Sequence, residues 1–256
     1  QVTAIPSVTA RFTRTATSVF TPTWTPLPTL QDSEAKVVLN RLLNSNGDCE
    51  LPCVWGMIPG QTTWFEVQQF LQSFLKFGGA NGIPEVYMEV DYVPKDKNEN
   101  LRISISVEEY QILGFQLSPA ATAARYRVED ILARYGEPEE VYIGATTGYP
   151  VKDLLPFDLI IYYPKYGFSA LFNYNAENTG SHLRVCPADQ PIGPTLDVWD
   201  PHIELTLKDI YPAYFEFPNR SMLTVEEALG MDKEQFTQTF DKEDTGSCMS
   251  TPVELW

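Results

Sequence analysis

Tyr126-Arg127-Val128-Glu129-Asp130-Ile131-Leu132-Ala133-Arg134-Tyr135-Gly136-Glu137-Pro138-Glu139-Glu140-Val141-Tyr142 decides the fold class of this chain. Val128, Ile131, Leu132 and Tyr135 recur at helical spacing. Gly136 supplies the left-handed position that ends a helix, and Pro138 forbids its continuation. Val141 then opens a strand. About fifty-four residues earlier the same order occurs. Thr62-Thr63-Trp64-Phe65-Glu66-Val67 opens a helix with Val67, Phe70, Leu71 and Phe74 as its stripe, and Gly82-Ile83-Pro84 leads into a strand near Val86.

Strands follow each helix. The first half predicts 86–93, 101–107 and 111–117, and the second 141–145, 159–163 and 168–174. Leu101, Ile103, Ile105 and Val107 alternate with Arg102, Ser104 and Ser106, so one face is buried and one is wet. Helix followed by an antiparallel meander, twice, is α+β. The expected architecture is two tandem helix plus antiparallel three-strand units, with an extended N-terminal strand-like arm. The units divide as residues 1–31 (arm), 32–118 (first unit) and 119–256 (second unit, with a C-terminal helix and a disulfide-tied tail). Asp32-Ser33 caps a short helix from Glu34 to about Leu43, stopped by the run from Asn44 to Gly47. A partial third copy of the helix occupies Leu223 to Gly230, with Phe236 and Phe240 beyond it.

The helix, Gly-x-Pro, three-strand unit resembles the BamE/SmpA-type fold of envelope assembly lipoproteins, and the tandem is similar to the β-lactamase inhibitor protein. Separately, Cys49-x-Leu51-Pro52-Cys53-x-Trp55-Gly56-x-x-Pro59-Gly60-x-Thr62-x-Trp64, with Cys248-x-x-Thr251-Pro252-x-x-Leu255-Trp256, resembles secreted lipoprotein-like proteins of Chloroflexi-type bacteria. These resemblances imply action by binding other proteins and bring no catalytic residue.

The 256 residues are 43% hydrophobic and 12% aromatic, enough for a buried core. Net charge is −16, a poor surface for polyanions, so no nucleic-acid partner is expected. No apolar run reaches the roughly eighteen residues of a membrane span. The first thirty residues carry nine Thr, four Pro and no acid. Such a segment suits a flexible or glycosylated stalk. Its phase says more. From Val8 to Thr25, Phe12, Phe20 and Trp24 fall on even positions, while Thr dominates the odd ones. That is strand periodicity without a sheet of its own. The arm holds Arg11 and Arg14, two of the eighteen bases and none of the thirty-four acids, leaving −18 on the rest. Arm and body attract one another.

Cys49, Cys53, Cys186 and Cys248 point to disulfides in an oxidising compartment rather than to a metal, since His182 and His202 lie at no zinc spacing. Three pairings are open, and a bridge from Cys49 or Cys53 to Cys248 is the expected one. Residues 1–30 contain no basic and apolar leader, so the chain reads as already processed and extracellular or at the cell surface.

No phosphate loop, dinucleotide fingerprint, nucleophile elbow or zinc-protease motif occurs. Ser169 reads as strand, His202 as a turn residue after Asp200-Pro201, and the carboxylate pairs Glu89/Asp91 and Asp153/Asp158 as solvated charges. The run from Asp96 to Asn100 copies part of a calcium loop but lacks its sixth-position Gly and closing Glu, so a polar turn is expected. Asn219-Arg220-Ser221 is a formal glycosylation sequon. Tyr162, Tyr163 and Tyr166, and Tyr211, Tyr214 and Phe215, form dense aromatic clusters suited to interfaces, sugar surfaces or core. The chain is therefore expected to be a non-enzymatic subunit without metal or cofactor. It self-associates, as a filament or surface assembly, or joins a close protein partner through strand addition by its arm, with Phe12, Phe20, Trp24, Arg11 and Arg14 as contacts. The alternative is a monomeric envelope binding module on a flexible stalk, recognising a protein or polysaccharide.

Overall fold

Helix α1 (Asp32–Ser45) starts where Glu34 reaches back, its Oε2 accepting from the Gln31 N–H at 3.1 Å. The cap is thus Gln31, one residue ahead of the expected Asp32-Ser33, because the box needs a Glu three residues on. Asn46 ends the helix in the left-handed region at φ 54°. The computed structural model describes residues 28–95, 101–118, 124–145, 154–190, 193–215, 222–241 and 246–256.

Helix α2 (Trp64–Phe74) opens on a Thr63–Glu66 capping box and buries Trp64, Val67, Leu71 and Phe74. Strand β1 (Leu75–Ile83) follows without a loop, where the sequence suggested a connection. Gly82 therefore ends no helix. At φ +95° it turns β1 into β2 (Tyr87–Pro94), and a Cβ there would lie 2.1 Å from the Tyr87 carbonyl oxygen. Strands β3 (Arg102–Glu108) and β4 (Gln111–Ser118) complete a meander. The alternation of β3 holds: Ile103, Ile105 and Val107 are buried and Arg102 is exposed.

Helix α3 (Val128–Tyr135) ends as its sequence requires, with the Gly136 N–H donating to Leu132 O at 2.9 Å. Strands β5 (Glu140–Ala145), β6 (Leu154–Tyr163) and β7 (Phe168–Asn178) form a second meander. Then come β8 (His182–Val185), β9 (Thr195–Trp199), α4 (Leu207–Ile210), α5 (Pro212–Phe215), β10 (Met222–Thr224), α6 (Val225–Leu229), α7 (Lys233–Phe240) and β11 (Met249–Pro252).

The result is α+β, built among the described residues on one antiparallel sheet of eleven strands in the order β1-β2-β3-β4-β9-β7-β6-β5-β10, with β8 attached to β7 and β11 to β8. Strand β9 joins the two meanders, pairing β4 on one side and β7 on the other. Residues of α1, α2, α3, α6 and α7 share one apolar cluster with the inner face of the sheet. A second cluster lies on the opposite face, where Leu207 and Tyr211 cover Ile160, Tyr162, Leu171 and Trp199. Burial on both faces explains the unbroken run from Phe168 to Phe172 in β7. No helix among the described residues is long and apolar enough to cross a membrane.

The bridges are Cys49–Cys53 and Cys186–Cys248, which corrects the expected bond from the first pair to Cys248. Antiparallel pairing of β8 with β11 sets Met249 against Val185, and the next rung brings Cys248 to Cys186. Cys49–Cys53 closes a loop around the fully buried Asn46, whose carboxamide donates to Cys49 O at 2.9 Å and Cys53 O at 2.8 Å. The same side chain accepts from the Trp55 N–H at 3.2 Å.

Candidate functional site

Strand β1 is nine residues long and lies at one end of the sheet, and among the described residues β2 is the strand that pairs with it. Its outer backbone row is therefore open to a further strand. Lys76 is its one charged residue. Phe77 is 49% exposed although its ring meets the buried Tyr92 edge-on at 6.1 Å. The apolar face thus reaches the edge uncovered. Ile83, Val86 and Tyr87 are likewise exposed at the β1–β2 turn.

The N-terminal segment meets the body at the start of this strand. The Leu30 N–H donates to Ser73 O at 2.8 Å, and Lys95 Nζ donates to Leu30 O at 2.7 Å. Ser73 stands two residues before Leu75, so Leu30 lies near the Leu75 end of β1. The arm residues themselves, Phe12, Phe20, Trp24, Arg11 and Arg14, lie outside the described residues. So do residues 96–100, Asp153 and the sequon at Asn219.

Beside the edge, a groove of about 760 Å³ crosses the wet face of the sheet from β1 to α4. Asp91 on its floor accepts from Arg102 and from Ser104 Oγ, the latter at 2.6 Å. The Arg102 hydrogen bond, helped by Ser104, holds this carboxyl below the usual range. Glu89 accepts from the Tyr87 hydroxyl at 3.0 Å. Asp209, on the wall, is locked to Thr206 in a capping box.

The inner end is different. Asp197 Oδ1 accepts from Gln116 Nε2 at 2.9 Å, while its buried Oδ2 has no hydrogen bond of ordinary geometry among the described residues. Burial raises the Asp197 carboxyl, against the opposing pull of Gln116 and the nearby Tyr211 hydroxyl. Two positions on, Trp199 stacks on Tyr162 at 6.0 Å, and its buried Nε1 also lacks a partner there. The Tyr211 hydroxyl pairs with Ser169 Oγ at 2.9 Å, so the fully buried Ser169 is a structural partner.

Of the remaining residues singled out from sequence, His202 pairs with Asp200 at 2.7 Å in an exposed turn, and His182 with the neighbouring Ser181 at 3.0 Å. Asp158 accepts from Asn173 at 2.6 Å. Tyr163 and Tyr166 pack with Tyr135 and Phe168 on the inner face, while Tyr162, Tyr211, Tyr214 and Phe215 belong to the outer cluster. Sequence reasoning missed β1, whose glycines hide its strand character, and β9. Leu196 and Val198 alternating with Asp197 and Trp199 would have signalled the latter.

No family model matches the chain, and neither a curated protein nor a solved structure matches it.

Proposed function

We propose that the protein is a non-enzymatic extracellular assembly subunit whose arm, residues 8–24, adds as a strand to the β1 edge of a neighbouring copy. Two disulfides suit an oxidising, extracellular setting. The observation that carries the reading is the open β1 edge, with Phe77 half-exposed and the N-terminal segment meeting the body beside it. Nine arm positions, 12–20, match the nine of β1. With the arm in place, its even face would cover Phe77 and extend the apolar cluster. Its Thr face would continue the wet face, where Glu89 offers Arg11 an opposite charge. Backbone bonds along an edge give affinity that tolerates sequence, and aromatic anchors give register. The contact is head-to-tail, which closes a ring or propagates a fibre. The tandem α+β units would then be a rigid body that presents the edge.

The test is sedimentation of the full chain, of a chain lacking residues 1–25, and of Phe77→Lys. The full chain assembles and both variants stay folded monomers. Native assembly by the truncated chain overturns the proposal.

A further inference from the structure

The Ile83 end of β1 carries a surface that the open backbone edge does not explain. Phe65, in the first turn of α2, is 55% exposed, and its ring stacks on Tyr110 with centroids 5.3 Å apart. The Tyr110 N–H donates to Pro84 O at 2.8 Å and its hydroxyl donates to Glu85. These bonds tie the stacked pair to the β1–β2 turn, where Ile83, Val86 and Tyr87 are exposed. Glu109 and Tyr110 form the two-residue turn between β3 and β4, at φ 47° and 63°. Asn or Gly ordinarily fills such positions, so the chain bears strain to hold the Tyr110 ring against Phe65 at the surface. Charge there has one sign. Glu85, Glu108 and Glu109 are exposed around the pair, Glu89 lies on the wet face and Glu66 on α2. Residues 57–75, 77–94 and 103–118 contain no Lys, Arg or His. At the Leu75 end, by contrast, Lys76 opens the strand, and Lys36 and Lys95 line a small cleft with Asp32. Nine residues of strand put the two ends about 26 Å apart, nearly three Debye lengths in ordinary salt, so a ligand senses them separately.

We propose that this acidic aromatic rim docks the basic end of a neighbouring copy's arm, so that the arm runs antiparallel to β1, with residues 10–14 at the Ile83 end and Phe20 toward Leu75. The inference rests on the assembly reading above and adds to it an anchor and a direction. Charge selects the occupant. Residues 1–31 hold Arg11 and Arg14 and no acid, whereas sixteen bases against thirty-four acids leave −18 on residues 32–256. Both arginines sit in the first half of the stretch from 8 to 24, so one direction brings them to the acids and the other sets them against Lys76. Three positions apart, they take opposite faces of a strand. The rim meets both, with Glu89 on the wet face and Glu85 and Glu66 on the helix side. Phe12, between them, covers the exposed Phe65–Tyr110 stack. An antiparallel arm also continues the sheet, whose ladders among the described residues are all antiparallel.

The experiment measures sedimentation of the full chain and of charge-reversed full chains. Arg11→Glu with Arg14→Glu should weaken assembly about tenfold or more, as should Glu85→Arg with Glu109→Arg. All four changes in one chain should regain most of the loss, which a merely damaged surface would not do. Each variant should melt as the parent does by circular dichroism. If the strained turn is disturbed, Glu108→Arg takes the place of Glu109→Arg. Cysteine cross-linking reads the direction: an intermolecular bond should join Ala10→Cys to Val86→Cys, and none should join Thr21→Cys to Val86→Cys. Arm-dependent assembly that ignores both charge reversals overturns the inference, as does a cross-link from Thr21→Cys in place of Ala10→Cys, and either result leaves strand addition at β1 standing. Native assembly by the chain lacking residues 1–25 instead removes the assembly reading and this inference together.

Discussion

The backbone N–H of Leu30 donates to the carbonyl of Ser73 at 2.8 Å, at the last turn of α2 and directly ahead of the edge strand β1. One hydrogen bond of this kind is worth about 1 kcal/mol, little for the body as a whole. Its consequence is directional. It sets Leu30 near the Leu75 end of β1, the edge to which the proposed strand would add.

Leu30→Pro removes the donor and nothing else on the main chain. With the loss of the half-buried Leu30 side chain from the apolar cluster added to that of the bond, the body should lose about 1–3 kcal/mol in urea denaturation and keep its circular dichroism. Assembly, read by sedimentation at fixed concentration, should weaken. Unchanged assembly would show that the arm acts without this tether.

The two bridges should differ in weight. Loop-closure entropy assigns about 4 kcal/mol to Cys186–Cys248, with its separation of 62 residues, and about 2 kcal/mol to Cys49–Cys53, with its separation of 4. Denaturation of the two double Cys→Ala variants measures the order. Equal losses, or a larger loss for the short loop, would contradict it. Unfolded protein should expose four thiols with reductant and none without.

Asn46 is fully buried and satisfies the two cysteine carbonyls of the short loop and the Trp55 N–H just beyond it. Asn46→Ala strips those partners and also places Ala at φ 54°, so about 2–4 kcal/mol should be lost. Asn46→Gly restores the backbone freedom but not the bonds, and should recover only part of that loss. Full recovery by Gly would mean that the hydrogen bonds contribute nothing.

The carboxyls of Asp197 and Asp91 should give opposite pH dependence. Burial raises Asp197, so the folded chain holds its proton more tightly and stability falls as pH rises above the ordinary carboxylate range. Asp197→Asn, with no charge to bury, should match the parent near about pH 3 and exceed it toward about pH 7. The Arg102 hydrogen bond lowers Asp91, so its contribution is present above the ordinary carboxylate range and is lost as pH falls through its depressed value. Asp91→Asn should therefore cost stability near neutrality and nothing in acid. Urea midpoints across pH decide both signs.

What the sequence determined by itself is local. The caps of α2 and the stop of α3 rest on residues three or four positions apart, Thr63 with Glu66 and Leu132 with Gly136, so the chain carries both partners in one short window. Alternation in β3 is legible for the same reason, as is the sum of charges that leaves a basic arm and an acidic body. Tertiary structure decided everything that depends on a distant partner. Whether Gly82 ends a helix or turns a hairpin depends on Tyr87 and β2 closing against it. Cys248 meets Cys186 because β11 pairs with β8 in one register, which no spacing of four cysteines encodes. The placement of Asp197 and Trp199 at the end of a groove likewise depends on β9 inserting between β4 and β7, and on α4 folding over the result. Strand pairing is made by main-chain groups that every residue shares, so the sequence shows which segments pair well but not with which neighbour. That choice belongs to the packing of the whole chain.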